Sequence, residues 1–361
     1  MTHQQPIIEV NLSALAENFR ALCARHARGN CAAVVKANAY GLGVVSVAAK
    51  LAAEGCKTFF VASLEEGVAL RKVLPVETIY VFHGVASGEA DVFIAEKLFP
   101  VLNSLEQIAL WRAALARGEV DSEIGAALQV DTGMNRLGLS YAQVKNLALQ
   151  PELLRACRVR LLMSHLACAN EEDVLFSELQ RQIFDEIRQL LPALECSLAN
   201  SAGLYLAENF HYDLGRPGCS LYGIAPNNQH KMQPVATLKA PILQIRNIET
   251  DGTIGYGAEQ KVYRGMKTAT VAMGYADGLL RVSRGKMCGF IEGISLPMLG
   301  RVSMDMTCFD VTKVPDEILV RNQYIELINQ VQTVDAVAEI CATIGYEIFT
   351  RLGSRVQRIY K

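Results

Sequence analysis

The feature that most constrains the fold is a repeated alternation of short apolar runs with polar turns and amphipathic stretches. This pattern is typical of a strand followed by a crossover helix. Eight runs occur in the first 228 of 361 residues, at 32–35, 58–62, 78–82, 99–102, 126–130, 158–163, 196–199 and 221–224. About 220 residues of such units favour an α/β fold with an eight-stranded parallel (β/α)8 TIM barrel, although the pattern alone leaves an open sheet as an alternative.

Two short motifs mark helix starts inside this region. Ser63 precedes Glu66 by three residues, and Ser104 precedes Gln107 by three. Each pair follows an apolar run directly, and this spacing is typical of a capping box at the first turn of a helix. We expect a crossover helix after each.

After residues 226–229 the alternation of apolar runs with amphipathic stretches gives way to strand-like runs. Runs at 242–248, 268–272, 289–291 and 324–328 are rich in β-branched residues and are separated by turns that contain glycine. We predict a barrel over residues 10–228 and a mostly β domain over 229–361. The alternating segment 7–10 is predicted to be a strand that pairs with the later domain, so that residues 1–9 add to it.

Charge and composition exclude several classes of partner. The chain has 35 basic and 37 acidic side chains, and its formal net charge is −2. No broad positive field is available for nucleic acid or an anionic membrane. The N-terminus lacks a basic segment followed by an apolar run, and no two of the ten cysteines are spaced C-x-x-C. We expect a cytoplasmic protein with reduced thiols, no metal and a small-molecule ligand.

Polar residues that follow the apolar runs should meet at one mouth, because barrel active sites form at the carboxyl ends of the strands. These candidates are Lys36, Tyr40, Arg136, His165, Asn200 and Ser201, and Arg216, which precedes the eighth run, joins them. A lysine at the end of a buried strand is partly desolvated, which favours the neutral amine that attacks a carbonyl. Lys36 therefore suits a Schiff base, although taken alone such a lysine more commonly reaches solvent along the barrel wall.

A phosphorylated aldehyde cofactor would fit this set of residues. Ser201, Tyr40 and the backbone N–H groups of Gly218 and Cys219 are candidates to hold its phosphate. Taken singly, Gly218 also fits a tight turn and Ser201 a helix cap. Their occurrence together with Lys36 favours the cofactor.

The segment Val-Val-Lys-Ala-Asn-Ala-Tyr-Gly at 34–41 resembles the pyridoxal-phosphate motif of the bacterial alanine racemases, which are fold-type III enzymes. Six further segments match in order, so that the resemblance covers nearly the whole chain: 131–136, 163–165, 216–218, 254–258, 274–278 and 300–305.

The resemblance implies that Lys36 binds the cofactor covalently and moves a proton on one face of the substrate Cα, while Tyr256 serves the opposite face. Inversion needs two proton donors, because a single base can only restore the configuration that it removed. In this family the tyrosine comes from the partner subunit. We therefore expect a head-to-tail homodimer with shared active sites.

The resemblance also assigns roles to two arginines and to residues near the substrate. Arg216 matches the arginine that faces the pyridine nitrogen, and Arg136 the arginine near the cofactor phenolic oxygen and the substrate carboxylate. Met304 and Asp305 match residues at the carboxylate and the dimer seam, and Tyr275, Asp277, Arg281 and Arg301 match the access corridor.

Three positions depart from the family pattern. Gln129 stands where many members have a carbamylated lysine, so its amide oxygen is expected to orient Arg136 directly. Ser354 is taken as the counterpart of a tyrosine at the cofactor phosphate, which predicts a wider pocket that admits serine as well as alanine. Asn170 replaces an aspartate at the entrance.

Three alternatives remain beside the alanine racemase. A decarboxylase of basic amino acids on the same scaffold would place an acid at the pyridine nitrogen, which Arg216 opposes. A non-catalytic cofactor carrier would not need Tyr256. A periplasmic racemase of broad specificity usually has an export signal and a cysteine pair.

Overall fold

Short buried strands form a parallel sheet in the first half of the chain. The computed structural model describes residues 5–26, 28–118, 121 and 123–361. Within these residues the sheet has the order β2-β3-β4-β5-β6-β7-β8. Its strands are β2 (Ala33–Val34), β3 (Thr58–Val61), β4 (Thr78–Val81), β5 (Phe99–Leu102), β6 (Ala126–Gln129), β7 (Val159–Met163) and β8 (Glu195–Ser197).

The eighth strand predicted at 221–224 is wrong. Cys219–Tyr222 is a 3-10 helix that ends at Gly223, whose φ is 82°. The run is apolar because it is buried beneath the site, and burial alone does not distinguish a strand from a short helix.

The segment 215–217 occupies the eighth position of the barrel instead. Gly215 forms a parallel bridge with Cys31 beside β2, and Arg216 forms one with Asn200 beyond β8. The amide of Arg216 donates to Ala199 O at 2.8 Å. Pro217 has no N–H to extend this ladder, so the closing strand stays too short to be recognised in the sequence.

Helices follow the strands as predicted. Ser63 and Ser104 are the N-caps of α4 (Leu64–Arg71) and α6 (Leu105–Leu115), and their hydroxyl groups accept from the amides of Glu66 and Gln107. The helices are α1 (Leu12–Arg25), α3 (Val44–Ala53), α4 (Leu64–Arg71), α5 (Ala90–Ala95), α6 (Leu105–Leu115), α7 (Tyr141–Ala148), α8 (Pro151–Ala156) and α9 (Leu175–Leu190), and α2 (Lys36–Tyr40) is a left-handed turn and not a regular helix.

The remainder of the chain is mostly β structure. Its strands are β9 (Ala236–Asn247), β10 (Gly252–Ile254), β11 (Gln260–Val262), β12 (Lys267–Val271), β13 (Cys288–Ile291), β14 (Ile294–Leu299), β15 (Thr307–Asp310), β16 (Tyr324–Ile328) and β17 (Gln357–Tyr360). The helices are α10 (Asp316–Arg321), α11 (Val334–Ile340) and α12 (Gly345–Thr350). With β1 at Ile7–Val10, the main sheet has the order β12-β15-β14-β13-β16-β9-β1-β17, and β12 also pairs with β9.

The strand predicted at 7–10 is present and joins this second sheet. β1 (Ile7–Val10) pairs antiparallel with β9 and parallel with β17. The two ends of the chain therefore lie side by side, and the C-terminal strand is brought back toward the barrel. Among the described residues no helix is long and apolar enough to cross a bilayer.

Candidate active site

Lys36 begins a turn of unusual handedness at the carboxyl end of β2. Ala37, Asn38, Ala39 and Tyr40 have φ of 53° to 54°, and Gly41 has φ of 86°. A left-handed residue other than glycine costs about 1–2 kcal/mol, and such residues normally occur singly. Four in a row are a strained feature of the kind that concentrates at functional sites.

Lys36 and the other predicted strand-end residues line one cavity of about 360 Å³. Of the residues predicted to bind a cofactor, the cavity brings together Lys36, Tyr40, Arg136, His165, Asn200, Ser201, Arg216, Gly218 and Cys219. Its size lies within the range of small-molecule sites. The barrel therefore collects at one mouth residues that are up to 183 positions apart.

The environment of Lys36 makes its ammonium easier to deprotonate. Burial lowers the pKa of the Lys36 ammonium, and the charge of Arg136 lowers it further, while Glu66 acts in the opposite direction. Its Nζ lies 5.5 Å from the centroid of the Phe82 ring, which contributes apolar surface beside the amine. A lysine with a lowered pKa can serve as a nucleophile and then as a base.

Arg216 supplies a buried cation in the same cavity. Its side chain is 3% exposed and donates to Ser197 Oγ and to the carbonyl oxygen of Ser164. Burial lowers the pKa of its guanidinium to about 9, so that it is charged at neutral pH. Because both partners are neutral, its positive charge remains uncompensated and acts on whatever occupies the cavity.

A small anion cradle lies where the barrel closes. Ser201 Oγ accepts from the amides of Gly218 at 2.9 Å and Ser220 at 3.4 Å. A Cβ at position 218 would lie 2.5 Å from the Tyr40 hydroxyl oxygen, so only glycine fits. The two amides orient the Ser201 hydroxyl, and this hydroxyl together with that of Tyr40 can donate to a phosphate.

Tyr256, Tyr275 and Met304 do not line this cavity. They line a second cavity of about 760 Å³ in the β-rich part of the same chain, together with Arg281 and Asp305. Tyr256 is 70% exposed. Within one chain the structure therefore separates the two predicted catalytic residues into two open half-sites.

Comparison with known proteins identifies the family. The family model "Alanine racemase, N-terminal domain" matches residues 10–226, and "Alanine racemase, C-terminal domain" matches 235–360. The chain belongs to the alanine racemase family. A relative named "Alanine racemase, catabolic" from Mesorhizobium japonicum is 43% identical, over 98% of this chain and 93% of the relative. The alanine racemase of Rhodospirillum rubrum is 42% identical, over 98% and 95%.

Solved structures of alanine racemases share the fold. The enzyme from Bartonella henselae, described with covalently bound pyridoxal phosphate, superposes with a TM-score of 0.90 at 33% identity and covers 99% of both chains. The biosynthetic enzyme from Pseudomonas aeruginosa gives a TM-score of 0.86 at 32% identity, with 99% coverage of each chain. The predicted barrel and mostly β architecture is therefore the architecture of an alanine racemase.

The prediction that Ser354 contacts the cofactor is not supported by its position. Ser354 is exposed in the turn before β17 and does not line the cavity. Tyr346 and Thr350 of α12 line it instead, and the Tyr346 hydroxyl donates to Cys219 Sγ at 2.9 Å. A tyrosine therefore lines the cavity although residue 354 is a serine, and the wider pocket stays a prediction.

Gln129 does not orient Arg136 through a hydrogen bond. Its Nε2 donates to Leu137 O at 3.4 Å, so it holds the backbone of the loop that carries Arg136. Arg136 is exposed and has no ion pair among the residues described. Phe82, which follows β4, also lines the cavity, and the sequence did not indicate this. An aromatic residue at the end of an apolar run is normally expected to lie in the hydrophobic core.

The histidine of this site makes the alanine racemase fold sensitive to acid. Burial, followed by the charges of Arg216, Arg136 and Lys36, lowers the pKa of His165 to about 3. An unfolded histidine has a pKa near 6.5, so the unfolded chain takes up this proton first as the pH falls. The resulting stability is present above about pH 6.5 and is lost progressively toward pH 3.

We expect the free energy of unfolding to fall by about 1 kcal/mol between pH 7.5 and pH 5.5 through His165 alone. Urea unfolding at both pH values measures it. Burial likewise lowers the pKa values of His26 and His211, so the total loss should be larger. The variant His165→Gln should lose less stability than the parent over this interval, and an equal loss would contradict the assignment.

Proposed function

We propose that the chain is a pyridoxal-phosphate-dependent racemase that interconverts L-alanine and D-alanine. The observation that carries the proposal is the common cavity in which Lys36, with its lowered pKa, meets a buried Arg216 and an anion cradle. The family and the covalently bound cofactor of the Bartonella henselae relative support it.

The residues present fit the proposed cofactor. Lys36 supplies the amine for its aldehyde, and Ser201, Gly218 and Cys219 with Tyr40 supply the cradle for its phosphate. When bound, pyridoxal phosphate stabilises negative charge at the Cα of an attached amino acid. Asn200, His165 and Arg136 line the remaining wall.

Lys36 and Arg216 set the chemistry on the barrel side. With pyridoxal phosphate and substrate bound, Lys36 Nζ would hold or donate a proton on one face of the substrate Cα. A permanent cation at Arg216 opposes protonation of any basic ring nitrogen beside it. Negative charge would then stay closer to the substrate Cα, and this favours rapid return of a proton to that carbon over competing reactions.

Tyr256 supplies the second proton from the β-rich part of a partner chain. Its cavity is open, and its exposed phenol is available to a neighbour. A head-to-tail homodimer would place this half-site over the Lys36 half-site of the partner, with Met304 and Tyr275 at the substrate carboxylate. Asp277, Arg281, Arg301 and Asp305 would then line the approach to it.

This proposal includes a cellular role. A cytoplasmic racemase would supply D-alanine for peptidoglycan, with no nucleic-acid or membrane partner. We also retain the division into a barrel over 10–228 and a β domain over 229–361.

The test is the loss of optical rotation of L-alanine on incubation with the purified protein and pyridoxal phosphate. We expect the rotation to decay to zero, and D-alanine to give the mirror-image curve. L-serine in parallel measures the tolerance of the pocket. Release of carbon dioxide from a basic amino acid without racemisation would favour the decarboxylase instead, and cofactor binding without either reaction would indicate a carrier.

A further inference from the structure

The strained turn after Lys36 is held from outside by the far end of the chain. From its contacts we infer that Arg358, on the last strand β17, is a positioning residue for Lys36. The inference rests on the proposed function of Lys36 and assigns part of its placement to a residue 322 positions away in the sequence.

The guanidinium of Arg358 joins the turn to the C-terminal segment. Its Nε donates to Gly41 O at 3.1 Å, and its Nη1 donates to Gly353 O at 2.9 Å and Val356 O at 2.6 Å. Its Nη2 donates to Leu352 O at 3.0 Å. Four carbonyl groups from two segments thus share one rigid planar donor group, which a lysine ammonium cannot reproduce.

The turn packs against this segment without room for side chains. A Cβ on Gly41 would lie 2.2 Å from Phe349 O, and a Cβ on Gly43 would lie 1.8 Å from Tyr360 Oη. Tyr360 Oη also donates to Leu42 O at 3.2 Å. The second half of the turn is therefore fixed on the C-terminal segment.

The first half of the turn is fixed on the barrel. The Glu66 carboxylate accepts from the amide of Ala37 at 2.7 Å and from that of Ala62 at 2.8 Å. Lys36 is thus followed by four left-handed residues anchored at both ends. Loss of the Arg358 anchor leaves that end held only by the Tyr360 bond to Leu42 O and by packing on Phe349, so we expect the turn to relax in part and the Lys36 amine to shift in its cavity.

The test compares Arg358→Lys, which keeps the charge and loses the planar fork, with the parent. The control is Arg321→Lys, because Arg321, the last residue of α10, forms an exposed ion pair with Glu292. In full-length protein freed of cofactor, acetylation of Lys36 by acetic anhydride is followed by peptide mass spectrometry from pH 6 to pH 11. The rate at which pyridoxal phosphate becomes attached to Lys36 is measured by borohydride trapping, and thermal midpoints are recorded.

For Arg358→Lys we expect the pH midpoint of Lys36 acetylation to rise toward that of an ordinary lysine. We also expect the rate at which pyridoxal phosphate becomes attached to Lys36 to fall about tenfold. Arg321→Lys should change neither. A lowered thermal midpoint with an unchanged acetylation midpoint and attachment rate would make Arg358 merely structural and overturn the inference.

Two further results separate the possible failures. If Arg358→Lys does not fold, Tyr360→Phe is tested instead, because it removes only the hydroxyl bond to Leu42 O. A smaller rise in the pH midpoint of Lys36 acetylation supports the inference that the C-terminal segment positions Lys36. An unchanged midpoint overturns it. If the parent attaches no cofactor, the proposed function fails, while the acetylation curves still decide whether Arg358 positions Lys36.

Discussion

Replacement of Lys36 by alanine should abolish racemisation, with kcat/KM lowered by at least about a thousandfold. The change removes the amine proposed to hold the cofactor and to serve one face of Cα. It leaves the fold intact, because Lys36 lies at the cavity surface and not in the core. Optical rotation and borohydride trapping of pyridoxal phosphate measure the two losses.

Lys313→Ala is the matched control, since Lys313 is exposed and lines neither cavity. It should retain full activity and full cofactor attachment. If Lys36→Ala kept covalent cofactor, another lysine would be the site of attachment and the assignment of Lys36 would be wrong.

Replacement of Tyr256 by phenylalanine should lower the rate of racemisation by about 10²–10⁴-fold while cofactor attachment to Lys36 continues. The change deletes one hydroxyl group from an exposed ring in the second cavity. The proposed cofactor site lies in the first cavity, which Tyr256 does not line, so the cofactor should still bind. Circular dichroism of alanine over time measures the racemisation.

The variant should also show a one-sided exchange reaction. Lys36 can still remove and return a proton on its own face, so in heavy water one enantiomer of alanine should gain deuterium at Cα with its configuration retained. Tyr263→Phe is the control, because Tyr263 is also exposed and lines neither cavity. Exchange into both enantiomers at equal rates would contradict a two-sided mechanism.

Much of this fold could be predicted from local signals. The strands at 58–61, 78–81, 99–102 and 126–129 are continuous apolar runs bounded by turn residues, as expected for strands buried on both faces. The helix caps at Ser63 and Ser104 could be predicted because each serine is followed three positions later by a glutamate or a glutamine. The strand-end residues could be assigned to one mouth because a parallel barrel brings all carboxyl ends of its strands together.

The rest depends on contacts between distant segments. The closing position at 215–217 is fixed by bridges to Cys31 and Asn200, which no local pattern encodes. Tyr346 reaches the cavity because α12 packs on the barrel, so its role could not be assigned by matching short motifs. The left-handed turn after Lys36 is likewise stabilised by Glu66 and Arg358 and is not predictable from the propensities of alanine and asparagine.

The separation of Tyr256 from Lys36 within one chain is expected from the family resemblance, which implies that the tyrosine comes from a partner subunit. The sequence match placed both residues in one active site, and within one chain they line different cavities. The proposed two-sided mechanism therefore requires two chains for each complete site.

Mixing the two inactive variants tests this requirement most directly. Equal amounts of Lys36→Ala and Tyr256→Phe chains, unfolded together and refolded, form mixed dimers in which one site has both native residues and the other has neither. Random pairing predicts recovery of about one quarter of the parental racemase activity. Activity no higher than the sum of the two variants refolded separately would contradict a site shared between subunits.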